Sequence, residues 1–409
     1  MRLPRFASDS RCREDARQFC LFAAGYGVVL VLGYLLLRKI NLSLSVEEMG
    51  RFSVATSVVN VAMPLLYLGA PQAYLRFHDG HRISAGLRKL LFPLFAISSS
   101  GIAVIVYLTV GSPLALLYAA VPFFTERLHI FRSQMRTGAV NALKIAEIGI
   151  PLAGLCALTS FASADAGWVM ALYGAGYLAS FLFPLHLNPA AESPRAGTVF
   201  RFLVPFVMTT MVALLIENLT VLMARSLLGY EAAAQMGVAA RNLIFIKALF
   251  SLLQMFYPVV YFREMKLGHF GTVRIYRAFI LAVALSCVGL MVAFAPLLYR
   301  LTGASAYVGS RGVFMILAAA FALDFVFETF GLYFQYEIRT WKATVVKTIF
   351  LAVLLVSYVI LRFSPLVPQD SYLVAIAWSV FIASATSAVT GVFWAIVAER
   401  KGGRDVREA

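Results

Sequence analysis

Long apolar runs separated by short polar connections make up almost the whole chain. Runs of spanning length fall at Phe19–Leu37, Phe52–Leu75, Leu90–Val110, Ala139–Leu158, Gly167–Leu187, Phe202–Leu228, Val238–Phe262, Ile275–Leu298, Gly312–Tyr336, Ala343–Leu361 and Tyr372–Val397. A further run is apolar from Leu114 to Thr125, then continues through Glu126 and Arg127 to Arg132. Crossing a bilayer core takes about 20 apolar residues in a helix. The pattern therefore predicts an all-α polytopic membrane protein with about twelve transmembrane helices.

Two stretches repeat one another. Glu48 to Arg76 and Gln235 to Arg263 align without a gap, so that Met49-Gly50 meets Met236-Gly237, an offset of 236 − 49 = 187. Leu65-Leu66 meets Leu252-Leu253, Pro71 meets Pro258, Tyr74 meets Tyr261 and Arg76 meets Arg263. Seven identities in 29 positions exceed the roughly two that an apolar-biased composition would give. The repeat pairs helices one to six with helices seven to twelve. Because six crossings is an even number, both halves start from the same face, as parallel repeats about an axis along the membrane normal. The chain then divides into a lobe over 1–187, a Pro- and Gly-rich linker over 188–199 and a second lobe over 200–409, with a central cavity between the lobes.

Composition agrees. The 409 residues are 61% hydrophobic and 13% charged, with mean hydropathy +0.82, which a soluble domain does not show. The formal charge of +15 would suggest nucleic acid in a soluble chain. Here the basic residues report orientation instead. Alternate connections on one side hold 26 of the 35 Lys and Arg residues, which places both termini in the cytoplasm and argues against a nucleic-acid partner. The four cysteines and five histidines show no metal-ligand spacing, and no nucleophile–base pattern or phosphate loop occurs. The chain is read as a non-enzyme without metal or cofactor.

Ionisable groups inside the membrane are costly, so each is a functional candidate. Asp324, Glu328, Gly331 and Gln335 fall on one face of helix ten. A carboxylate pair there could exchange a proton, or Glu328 could form a structural pair with Lys347. Glu217 and Asn218 sit inside helix seven, Arg225 two turns further along, and Arg241, Asn242 and Lys247 inside helix eight; Asn60 occupies the repeat position of Lys247. Arg127 and Lys144 can snorkel toward the cytoplasm and Glu147 can pair with Lys144, so these residues are read as structural.

The major facilitator fold is disfavoured, because the connection RFHDGHRISAGLRK (Arg76 to Lys89) lacks that family's motif. The segment SVEEMGRFSVATSVVNVAMPLLYLGAPQAYLRF, Ser45 to Phe77, resembles the start and exit of helix two in Wzx-type lipid-linked oligosaccharide flippases. These are the polysaccharide branch of the multidrug/oligosaccharidyl-lipid/polysaccharide exporter superfamily. VPFVMTTMVALLIENLTVLMARSLLGYEAAAQMGVAARN, Val204 to Asn242, is similar to that family's proline-bearing helix seven and its connection to helix eight. The chain departs from related antiporters in its first helix, since Phe19–Leu37 carries no charge.

The resemblance implies a bacterial inner-membrane protein that moves a polyprenyl-diphosphate-linked oligosaccharide to the outer leaflet for O-antigen, lipopolysaccharide or exopolysaccharide synthesis. It would meet membrane lipids and the polysaccharide polymerase machinery. A diphosphate needs a hydrated, cationic path, for which Lys247, Arg241, Arg225 and Arg51, with Asn60 and Asn242, are the candidate lining. Asp324, Glu328 and Glu217 are the coupling candidates. The alternative is a drug or small-metabolite antiporter of the same superfamily.

Overall fold

The computed structural model describes residues 10–77, 83–134, 136–161, 163–188, 194–247, 250, 261, 264–265, 268–336, 340–363 and 371–408. Two compact units result. Unit 1 comprises the chain up to Ser45 and Ala62–Val207; unit 2 comprises Val46–Val61 and Met208–Ala409.

Unit 1 begins with α1, Ser10–Ser43, and takes the last turns of α2, Val46–Leu66. The run predicted as one helix over Phe52–Leu75 is broken after α2. Leu68 and Gly69 both adopt positive φ, 49° and 69°, a conformation that ends a right-handed helix. A short α3, Ala70–Arg76, follows, with Pro71 in its first turn, where its missing N–H costs nothing. Next come α4, Ala85–Val110, and a 3₁₀ segment, Pro113–Ala120, that runs into α5, Val121–Ser133. The predicted Leu114–Arg132 helix is thus half 3₁₀. Then follow α6, Thr137–Leu158, and α7, Ala166–Leu178. Side-chain caps set two starts. Ser84 Oγ accepts from Gly86 N before α4, and Asp165 Oδ1 accepts from Trp168 N before α7. Tyr74, Leu87, Leu91, Phe95, Ile130 and Leu203 form the buried core of this unit.

A two-residue parallel strand pair, β1 (Ile83–Ser84) with β2 (Leu187–Asn188), ties two connections together in unit 1. Apolar periodicity carries no trace of it.

Unit 2 holds the first turns of α2 and most of α8, Ala196–Leu228, then α9, Tyr230–Asn242. Further along are α10, Phe270–Ala293, α11, Ala295–Leu301, α12, Arg311–Tyr336, α13, Thr340–Phe363, and α14, Tyr372–Glu408. Among the described residues, eight helices are long and apolar enough to cross a membrane, with shorter apolar helices at Ala166–Leu182 and Asn218–Leu228. Two predicted spans are missing from that set. Phe52–Leu75 is divided by its turn, and Val238–Phe262 runs into residues outside the described ones. Leu108, Val389, Phe393 and Phe363 are 76%, 71%, 64% and 80% exposed. Such outward apolar side chains suit hydrocarbon, not water. The protein is an all-α polytopic membrane protein.

Candidate functional site

Unit 2 contains most of the residues singled out in the sequence. The N-terminal part of α2 packs closely on α8 and α9. A Cβ at Gly50 would lie 2.2 Å from Tyr230 O, and one at Gly237 would lie 2.4 Å from Ser53 Oγ. These are the two equivalent glycines of the repeat, and each removes the atom that would hold the helices apart. Arg241 fills the adjoining space. Its Nη2 donates to Ser53 Oγ at 2.8 Å, its Nη1 approaches Met49 Sδ at 2.7 Å, and its guanidinium covers the Phe52 ring at 4.5 Å.

Arg225 and Arg51 share Tyr230, with guanidinium-to-ring distances of 3.9 and 5.9 Å. Arg51 also pairs with Glu47 at 2.9 Å and Glu48 at 3.7 Å. The hydrogen bond that Arg51 donates to Glu47, aided by the charge of Glu48, raises the Arg51 pKa above its already high ordinary value.

Deeper in the unit, Asn60 Nδ2 donates to Asn218 Oδ1 at 3.2 Å, joining α2 to α8. Asn242 is fully buried beside the Tyr299 hydroxyl, and neither of its amide atoms finds a well-aligned partner among the described residues. Tyr299 donates instead to Ser310 O at 3.2 Å. Lys247 is half-buried, its Nζ 5.5 Å from the centre of the Phe321 ring. Glu217 belongs to α8, but its side chain lies outside the described residues.

The acidic stripe of α12 meets α13. Lys347 Nζ lies 3.3 Å from both carboxylate oxygens of Asp324 and 3.3 Å from Glu328 Oε1. The sequence alone suggests a pair between Lys347 and Glu328. The lysine reaches both acids because residues four apart on a helix stack on one side. One ammonium thus serves two carboxylates.

Unit 1 carries ion pairs of two kinds. Glu126 is fully buried and accepts from the Tyr74 hydroxyl and from Arg88 Nε, each at 3.0 Å. This pair is balanced and locks α3, α4 and α5 together. Arg127 is structural, as the sequence reading has it: it reaches the turn that follows α7, donating to Ser180 O at 3.1 Å and Phe183 O at 2.7 Å.

The second kind is the pair on α6 that the sequence suggests: Lys144 Nζ and Glu147 Oε2 are 2.7 Å apart, and the Lys144 ammonium lies 5.6 Å from the Phe124 ring of α5. His129, on α5, escaped the sequence reading. Its Nδ1 must carry a proton to donate to Thr125 O at 2.9 Å, since a carbonyl only accepts. The two paired lysines share a signal in the sequence: α6 and α13 each open on threonine, at Thr137 and Thr340. Lys144 and Lys347 follow at the same spacing, 144 − 137 = 347 − 340 = 7, about 10 Å along each helix.

No family model matches the chain, and no curated protein does. Solved structures do. One is the inward-facing conformation of a multidrug resistance MATE family transporter of the MOP superfamily, with TM-score 0.61, 14% identity, and 96% of both chains covered. A MATE protein in complex with MaD3S gives TM-score 0.60 at 12% identity over 96% of this chain and 97% of that one. An outward-facing multidrug resistance MATE structure gives 0.52 at 11% identity over 96% and 89%. The chain has the fold of MATE transporters of the MOP superfamily.

Proposed function

We propose that the chain is an alternating-access transporter that moves polyprenyl-diphosphate-linked oligosaccharide from the cytoplasmic to the outer leaflet for surface polysaccharide synthesis. In this reading the two lobes, 1–187 and 200–409, rock about the linker 188–199 in a bacterial inner membrane, with both termini cytoplasmic. The observation that carries it is Lys247, a cation held half-buried against Phe321 in an apolar run, where an ionisable side chain is costly and so a functional candidate. Arg241 lies six residues earlier, and Phe19–Leu37 has no acid to receive a cationic drug.

The reading predicts that Lys247→Ala loses surface polymer while inserting normally, and that Lys247→Arg keeps part of it. Normal polymer from the alanine variant at native expression removes Lys247 from the mechanism. Coupling then falls to Asp324 and Glu328, with Glu217 a further candidate. Either neutral isostere, Asp324→Asn or Glu328→Gln, should abolish gradient-driven flipping in proteoliposomes.

A drug or small-metabolite antiporter is the second reading. It is favoured by the two carboxylates, Asp324 and Glu328, that meet at Lys347 and by the shared MATE fold. Proteoliposomes separate the two: gradient-driven uptake of a fluorescent cationic drug without flipping of lipid-linked oligosaccharide would favour the antiporter.

A further inference from the structure

Lys247 follows α9, and its ammonium meets a ring from another helix. Nζ lies 5.5 Å from the centre of Phe321 on α12. Further rings continue the contact. Phe250 stacks on Phe321 at 5.4 Å with the planes 5° apart, and Phe325 stacks on Phe250 at 4.0 Å. Phe250 and Phe325 are 2% and 3% exposed, so core packing accounts for both. Phe321 is only half-buried. It sits at the margin of that core, where the charge begins.

An aromatic face attracts a cation, and the attraction grows as water is removed. Inside a spanning run the hydrocarbon offers an ammonium nothing comparable. The ring takes up one face of the ammonium, which has three N–H donors. The remaining donors can meet an anion at the same time. A free lysine side chain loses much rotamer freedom when it binds. A ring that already holds it lowers that loss.

A residue that positions another must itself be held. Phe321 is held twice. Phe250 backs its ring, and three residues further along α12 Asp324 is tied to Lys347 of α13.

We propose that Phe321 is the positioning residue for Lys247, its ring holding the ammonium ready for the diphosphate of the cargo. The cargo in that statement rests on the flippase reading above. Phe321 touches no phosphate oxygen itself and acts through Lys247 alone.

The test replaces Phe321, in the full-length protein, by phenylalanines carrying one, two and three ring fluorines. Fluorine nearly keeps the shape of the ring and weakens its electron-rich face step by step. Two readouts follow the series in neutral detergent. Calorimetric titration with geranylgeranyl diphosphate, against geranylgeraniol, should show affinity for the diphosphate falling with each fluorine, about two- to fivefold by the third. Modification of Lys247 by an amine-reactive reagent, read by mass spectrometry, should quicken along the same series. Lys144, over Phe124, is the internal reference and should not change. A purely packing role for the ring would move neither readout. Phe321→Leu should match the trifluorinated ring in both, with unfolding temperature and elution volume verifying its fold. If the leucine variant does not fold, the fluorinated series still decides.

Level modification rates overturn the proposal whatever the affinity does, because the ring then does not hold the lysine. Affinity for the diphosphate that stays level, or rises, also overturns it, and the flippase reading survives because wild type still binds. A wild type that binds the diphosphate no better than the alcohol removes the flippase reading and its cargo. Graded modification rates would then still support Phe321 as the residue that holds Lys247.

Discussion

Lys144 and Lys347 each lie seven residues after the threonine that opens their helix, α6 and α13, and their surroundings differ. In unit 1 the lysine pairs with one glutamate on its own helix; in unit 2 it is shared by an aspartate and a glutamate of the neighbouring helix. The same residue at the same helical position thus takes its chemistry from what packs beside it.

Removing Lys347 should have the largest effect. Lys347→Met removes the ammonium that bridges two carboxylates four residues apart. Their side chains are 21% and 37% exposed, which trims the 3–5 kcal/mol of a fully buried broken pair to about 2–3 kcal/mol. Thermal unfolding in detergent should show the loss, and adding Asp324→Asn should restore part of it. Stability equal to wild type would mean that the acids are already protonated, and that the contrast between the two lysines is false.

Lys144→Met should cost less, about 1 kcal/mol, because it breaks a single pair within one helix whose side chains are 31% and 19% exposed. A loss larger than that of Lys347→Met would reverse the ranking of the two sites. Asp324→Asn is expected to be milder still in stability, below about 1 kcal/mol, since Lys347 keeps Glu328; its readout is flux under a gradient, not unfolding temperature.

The smallest effect sharpens the comparison. Arg51 with Glu47 and Glu48 has the same two acids and one cation as the α12 group, but the arginine side chain is 39% exposed. Arg51→Ala should change stability by less than about 0.5 kcal/mol. A loss as large as that of Lys347→Met would show that charge count matters and burial does not.

Most of the architecture could be read from the sequence, because spanning length and periodicity are properties of consecutive residues. The acidic stripe was visible for the same reason: Asp324 and Glu328 are one helical turn apart. The break in α2 was hidden, since Leu68 and Gly69 look apolar while their positive φ ends the helix. The ring beneath Lys247 was hidden for a different reason. Along the chain, Phe321 is one more apolar residue of a spanning run. Only folding brings it to Lys247. The partners of Arg127 were hidden for a related reason, because the carbonyls it binds belong to Ser180 and Phe183, more than fifty positions away.

The paired glycines of α2 and α9 also constrain how the sequence can drift. At Gly50 a new methyl group would strike the main chain of Tyr230, and no change of neighbouring side chain relieves a backbone clash. At Gly237 the obstacle is the hydroxyl of Ser53, which a second mutation can remove. A saturation library scored for growth should therefore leave position 50 frozen. Position 237 should accept alanine only in lineages where position 53 has already become glycine.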